Sequence, residues 1–244
     1  MIKGVIFDFW GTLVENGIFP SPVKQVRYIL RVRMSFQDYI LRFEDVFMAK
    51  PHENLTEAFK AVCKEFELEP RDFIIEKLVG MWNKNELLGK PFLDTIEVLK
   101  YLKKKKIKVG LISNTNETIN RVLDKFDLRQ YFDAQVLSYE EGMLKTDPDL
   151  FKKLLKKLKL KSEQVVMIGD SIPTDIIGAR KADVRPILLD RRNNRTFSPR
   201  IVSLRALQDL IEKDELDDFI AQGAAEQEKA DAERQEENRA GSDE

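Results

Sequence analysis

The sequence predicts an α/β protein, a doubly wound parallel sheet with helices on both faces and a helical bundle inserted after the first strand. Three observations predict it. A short apolar run, Val5-Ile6-Phe7, leads directly into the carboxylate of Asp8. Four later stretches repeat apolar residues at helical spacing. From Pro91 onward, short runs rich in β-branched residues alternate with amphipathic helices, the pattern of parallel strands joined by crossovers.

Ile2 to Phe9 is rich in β-branched and aromatic residues and reads as a buried strand. Ser21-Pro22 opens the first helix in cap-then-proline order, with Val23, Val26 and Leu30 on one face. Ser35 caps the second, which repeats Phe36, Tyr39, Ile40, Phe43, Val46 and Phe47. The third carries Leu55, Ala58, Phe59, Val62 and Phe66, and the fourth, from near Pro70, carries Ile75, Leu78, Val79 and Trp82. Four such stripes are expected to pack as a small bundle. Beyond Pro91, Asp94 is expected to cap a helix through Leu102, and Ile107–Ile112 reads as a strand. A helix over about Glu117–Phe126 precedes a strand at Ala134–Leu137. Helix Pro148–Leu160, strand Val165–Ile168, helix Asp175–Lys181 and strand Pro186–Leu189 complete the alternation.

This divides the chain into a sheet domain from residues 1–13 and 91–212, an inserted helical domain over 14–90, and an acidic tail over 213–244. From Ala221 there is no Val, Ile, Leu or Phe, and eight acidic residues face three basic ones. A segment so poor in apolar surface is expected to be disordered.

Bulk properties exclude several function classes. The 244 residues are 43% apolar and 34% charged with a net charge of −1, which offers no field to gather nucleic acid or coat a membrane. Cys63 is alone, so there is no disulfide framework and a reducing compartment is expected. No apolar run approaches the roughly 20 residues that span a bilayer, and the N-terminal apolar segment is not a signal peptide. The expectation is a cytoplasmic monomer or homodimer without nucleic-acid or membrane partners.

Ligands of an open parallel sheet bind outside the carboxyl ends of its strands, at the switch point. Asp8 comes directly after the first predicted strand, Ser113-Asn114-Thr115 after the second and Gly169-Asp170-Ser171 after the strand from Val165. These groups, distant in sequence, are expected to converge on one pocket, and Lys145, just before a helix, supplies a cation. A carboxylate can attack an anionic phosphoryl group only where the repulsion is offset. Mg²⁺ between carboxylates, a lysine and a hydroxyl provide the offset. Attack would make an acyl phosphate and split one hard step into two.

Four segments carry a family resemblance, in order and spacing: Asp8-Phe9-Trp10-Gly11-Thr12, Leu111-Ile112-Ser113-Asn114, Lys145-Thr146-Asp147-Pro148, and Gly169-Asp170-Ser171 through Asp175-Ile176-Ile177-Gly178-Ala179-Arg180. Together they resemble the four motifs of the haloacid dehalogenase superfamily over residues 1 to about 212, and the helical insertion sits where that family carries a helical cap. The resemblance implies a Rossmann-like core and a cap that closes over the pocket. It implies Asp8 as nucleophile with Ser113 and Lys145 as catalytic partners. It places substrate phosphate against Trp10, Gly11, Ser113, Asn114 and Lys145. It assigns Mg²⁺ to Asp8, the backbone carbonyl of Trp10, Asp170 and Asp175, the last binding through water or orienting Lys145. The implied activity is a Mg²⁺-dependent phosphatase acting on a small phosphorylated metabolite.

One position departs from the family. Its phosphatases carry a second aspartate, the general acid and base, where this chain has Trp10. An indole N–H donates a hydrogen bond but does not cycle a proton, so steps needing that group should slow by about 10²–10⁴-fold. Hydrolysis of the aspartyl phosphate should then limit turnover and give a burst of product. Glu15 is a candidate replacement. Dehalogenases of the family carry tyrosine at this place, which makes a 2-haloacid dehalogenase the rival enzyme. They lack the Gly-Asp-Ser arrangement and use no metal, so Asp170 favours the phosphatase. A weakly catalytic phosphate-binding or regulatory protein is a third reading, resting on Trp10. In the insertion, Arg27, Arg31, Arg33, Lys50, Trp82 and Asn83 are candidates to face the substrate.

Overall fold

The computed structural model describes residues 2–240. Strand β1 (Gly4–Phe7) leads through the Asp8 loop to a two-residue strand β2 (Val14–Glu15). Helices α1 (Pro22–Leu30), α2 (Phe36–Met48), α3 (Leu55–Glu65) and α4 (Asp72–Leu88) come next, and β3 (Lys90–Pro91) returns the chain to the sheet. Then come α5 (Thr95–Lys104), β4 (Lys108–Ser113), α6 (Ile119–Lys125), β5 (Ala134–Leu137), α7 (Ser138–Glu141) and α8 (Pro148–Leu158). The chain continues through β6 (Val165–Gly169), α9 (Ile177–Lys181), β7 (Arg185–Leu189), β8 (Arg200–Ile201), α10 (Leu204–Glu212) and α11 (Leu216–Ala240).

Six strands form one sheet in the order β5-β4-β1-β6-β7-β8, every pair parallel. The chain steps outward from β1 in one direction through β4 and β5, then in the other through β6, so the carboxyl end of β1 lies at the switch point. Strand residues alternate between faces. Val5 and Phe7 enter one apolar layer with Leu99, Leu123 and Leu207; Ile6 enters the other with Phe151, Leu154 and Ala179. This is the expected α/β Rossmann-like core.

The four helices α1–α4 have a core of their own. Tyr39, Phe43 and Phe47 stack successively at 5.7 and 5.0 Å between ring centroids, and Trp82 closes on Phe47 at 4.6 Å. Val26, Phe59, Val62 and Cys63 fill the remaining space with no exposure. The cap expected at Ser35 forms, its Oγ accepting the Asp38 N–H at 3.0 Å; Ser21 precedes α1 without a side-chain cap bond, and Asn54 Oδ1 accepts the Glu57 N–H at 3.0 Å. This bundle joins the sheet through a ribbon in which β2 and β3 pair antiparallel. Sequence patterning marks neither the ribbon nor β8, because two-residue strands leave no periodicity.

Two expectations need correction. Asp94 does not cap α5 with its side chain. Its carboxylate instead takes both Arg191 terminal nitrogens, at 3.0 and 3.1 Å, and the Leu204 N–H at 2.8 Å at the start of α10. The expected disordered tail is helix α11 as far as Ala240. Leu216 and Ile220 are buried in the sheet's apolar layer. Gly223 lies so close to Pro199 that a Cβ would collide with it. Gln227 is buried, its Oε1 accepting the Ser198 N–H at 2.9 Å. Beyond Ile220 the docking is done by a glycine contact and polar side chains, which apolar patterning does not register. Residues 241–244 of the expected tail lie outside the described residues.

Candidate active site

The loop after β1 closes tightly. Phe9 O accepts the N–H groups of Leu13 and Val14 at 2.9 and 3.0 Å, and Gly11 N–H donates to Val14 O at 2.8 Å. Gly11 has φ +82°, and a Cβ there would lie 2.5 Å from Asp170 Oδ2. Only glycine permits both the turn and the approach of Asp170. The loop leaves Asp8 nearly buried, at 5% exposure.

Three strand ends and one helix entry meet around it. Lys145 Nζ donates to Asp8 Oδ1 at 2.6 Å and to Asp175 Oδ1 at 2.5 Å. Asp175 Oδ2 accepts the Ser171 N–H at 2.9 Å. One oxygen each of Asp8, Asp170 and Asp175 lies within 4.8 Å of the others. Gly178 abuts the Lys145 carbonyl, where a Cβ would clash, and this lets the lysine loop reach the cluster. Ser113 Oγ, at the end of β4, is buried without a hydrogen-bond partner. A buried hydroxyl left unpaired costs stability unless a ligand completes it.

The electrostatics follow from crowding. Burial pushes the Asp8 carboxyl up to about 6, with Lys145 pulling it back and Asp175 adding to the rise. Burial, then the charges of Asp8 and Asp175, push Asp170 up to about 8, against the pull of Arg195 and Lys145. Burial acts to lower Lys145, but Asp175 and Asp8 outweigh it and hold the ammonium above its ordinary range. Three carboxyls around one lysine are an excess of negative charge. Hard oxygen donors in this number suit Mg²⁺, which takes few carboxylates and keeps its remaining sites for water or phosphate oxygen.

The family model for haloacid dehalogenase-like hydrolases matches residues 2–183, which contain Asp8, Ser113, Lys145, Asp170 and Asp175. The chain belongs to the haloacid dehalogenase-like hydrolases. Within that family it is 26% identical over 196 residues to a glyceraldehyde 3-phosphate phosphatase of Methanothermobacter thermautotrophicus, covering 78% of this chain and 86% of the relative. It is 27% identical over 231 residues to the pyrophosphatase PpaX of Halalkalibacterium halodurans, covering 86% and 96%. A HAD phosphatase from Thermococcus onnurineus superposes with TM-score 0.59 at 21% identity over 86% of this chain and 98% of that one. An L-2-haloacid dehalogenase from Xanthobacter autotrophicus superposes with TM-score 0.58 at 18% identity over 87% and 99%. The shared fold does not choose between phosphatase and dehalogenase. Among the described residues no helix is long and apolar enough to cross a membrane.

In this haloacid dehalogenase-like hydrolase, Asp8, Lys145, Asp170 and Asp175 come together, with Ser113 at the end of the neighbouring strand β4. Three of the residues expected against substrate have neighbours within the protein. The resemblance has Gly11 against substrate, but its N–H is held by Val14 O. It has Asn114 facing substrate too, yet both ends of that amide are engaged: Oδ1 accepts the Lys145 N–H and Nδ2 donates to Glu44 Oε2, each at 2.8 Å. Trp10 sets its ring edge-on to Phe9 at 5.2 Å and against Gly89 at the root of the cap. Glu15, the candidate replacement acid, is exposed on the ribbon 3.8 Å from Lys90. Of the cap candidates, Trp82 belongs to the bundle core, Asn83 accepts from Arg121 at 3.1 Å, and Arg27 donates to the Met34 carbonyl and packs beside Tyr39.

Two residues escape sequence reasoning. Glu44 of α2 is buried at 8% exposure against Asn114. Its signal is legible in hindsight: it falls on the apolar stripe, four residues after Ile40 and four before Met48, where a carboxylate has no packing reason to be. Arg195 donates to the Asp170 backbone carbonyl. It lies six residues beyond the carboxyl end of β7, in a segment that carries none of the four motifs.

Proposed function

We propose that the chain is a Mg²⁺-dependent phosphatase that acts on a small phosphorylated metabolite through an aspartyl phosphate at Asp8. The observation that carries this reading is the meeting of Asp8, Asp170 and Asp175 around Lys145. Two further carboxylates beside the nucleophile would repel a 2-haloacid, whereas a phosphate bound with a divalent cation balances them. The phosphatase names of the curated relatives point the same way.

Asp8, Asp170 and Asp175, with the Trp10 carbonyl, are the groups that would hold Mg²⁺; when bound it supplies positive charge against the phosphate oxygens. Asp8 attacks phosphorus. Lys145 keeps Asp8 ionised and aimed, and the free Ser113 hydroxyl donates to a non-bridging oxygen. The cap covers the site and excludes water from the first step.

The test is phosphate release from a panel of phosphate monoesters, with Mg²⁺ and with chelator, beside chloride release from a 2-haloacid. Phosphate release should require Mg²⁺ and fall at least about 10³-fold in Asp8→Asn, which removes the nucleophile. Chelator-resistant chloride release without phosphate release would replace this reading with the dehalogenase. Phosphate release that survives Asp8→Asn would discredit the covalent mechanism.

A further inference from the structure

The reaction proposed above needs a group that gives a proton to the leaving oxygen and later takes one from water. Trp10 holds the position from which the family's phosphatases do this, and its ring lies against Gly89 instead. Glu15 is exposed on the ribbon. Among the described residues the cap buries two carboxyls, Glu44 and Glu86. Glu86 lies 3.5 Å from Arg121, a residue of the α6 flank. Glu44 instead touches the reaction centre's own scaffold: Asn114, its partner at 2.8 Å, adjoins Ser113 and receives the Lys145 N–H.

We propose that Glu44, carried onto the pocket by cap helix α2, is the general acid and base of the reaction and fills the role that Trp10 leaves vacant. The proposal rests on the phosphatase reading of the same site. In the first half-reaction an Asp8 oxygen bonds to phosphorus, the bond from phosphorus to the leaving oxygen breaks, and that oxygen takes the Glu44 proton. In the second, water adds to phosphorus and passes its proton to the Glu44 carboxylate. The bond from phosphorus to the Asp8 oxygen then breaks, which returns the Asp8 carboxylate and frees inorganic phosphate. Glu44 ends each cycle as it began.

The surroundings suit the role. Burial pushes the Glu44 carboxyl up to about 7; the Asn114 hydrogen bond and the Lys145 charge pull it down, and Asp175 and Asp8 push it further up. Both protonation states are therefore populated near neutral pH, where a group that must give and retrieve a proton works best. The protonated form also removes the repulsion that a further carboxylate would impose on an incoming phosphate.

Glu44→Gln tests this, because glutamine can still accept the Asn114 hydrogen bond and the fold should survive, as a thermal melt will report. Steady-state rates are measured with an alkyl phosphate and with p-nitrophenyl phosphate, with a rapid-mixing trace for the latter. With the alkyl ester kcat should fall about 10²–10⁴-fold. With p-nitrophenyl phosphate, whose leaving group needs no proton, the first turnover should stay fast and the second step should stall, giving a burst of about one nitrophenolate per site. Glu44→Asp should recover part of the loss. A folded Glu44→Gln enzyme with wild-type kcat on both esters and no burst overturns the proposal. A rise in KM at unchanged kcat overturns it in favour of substrate recognition. A wild-type enzyme without Asp8-dependent phosphate release defeats the phosphatase reading itself, a result distinct from either.

Discussion

The sheet and the cap hold their buried charges in opposite ways. At the sheet, Asp8 and Asp170 sit just beyond the ends of strands locked in one hydrogen-bonded ladder, Asp175 lies in the helical turn that follows, and Asp8 and Asp175 share Lys145. In the cap, Glu44 stands beside an aromatic stack that belongs wholly to α1–α4, and its polar partner, Asn114, lies across the interface in the sheet domain. Asp8 and Asp175 are therefore paired within the sheet domain. The cap's carboxyl finds its hydrogen-bond partner only when cap and sheet are docked. Crowded charges need rigid placement, since each is costly alone. A proton carrier needs a carboxyl that is easy to neutralise, and an apolar helix bundle provides it.

The largest effect should come from breaking the sheet's pairing. Lys145→Met leaves two buried carboxylates without their cation and should cost about 3–5 kcal/mol in urea denaturation, with loss of turnover. A cost under about 1 kcal/mol would show that the carboxyls take up protons once the lysine is gone. Phe47→Ala opens the cap's stack at a site with no exposure and should cost about 3–4 kcal/mol. A negligible cost would mean that α2 is held by its contact with the sheet and not by the aromatic core.

The smallest effect is the most discriminating, and its sign follows from protonation. Glu44 is raised from 4.5 to about 7, so the fold retains a proton that the unfolded chain gives up. The stability tied to that proton is whole below about pH 4.5 and is lost as pH rises through about 7. Glu44→Gln cannot ionise. It should match the wild type near pH 4.5 and exceed it at about pH 8 by up to about 3 kcal/mol, as read from urea denaturation at each pH. A more stable but slower variant would mark Glu44 as kept for chemistry. An equal difference at both values would place Glu44 in a solvated, unburied state.

Much of the fold and site was legible in the chain. The strand and helix periods gave the α/β core, and the residues just past the strand ends included Asp8, Ser113 and Asp170. Capping chemistry at Ser35 worked because a cap is local. Asp94 failed as a cap because its carboxylate was claimed by Arg191 and the start of α10, roughly a hundred residues away in sequence. The tail failed because, besides Leu216 and Ile220, it is docked by the Gly223 contact with Pro199 and by hydrogen bonds such as those of Ser198 with Gln227 and Glu226.

By itself, then, the sequence determined the four cap helices, the longer strands and helices of the sheet domain and the residues at the strand ends, since these depend on local periodicity and on strands ending where turns begin. Tertiary structure alone decided where Trp10 turned its ring, that Gly11 and Asn114 spend their polar groups on the protein, and that Glu44 crosses from the cap to Asn114. Those outcomes depend on contacts between segments far apart in the chain, and such contacts exist only once cap and sheet have packed.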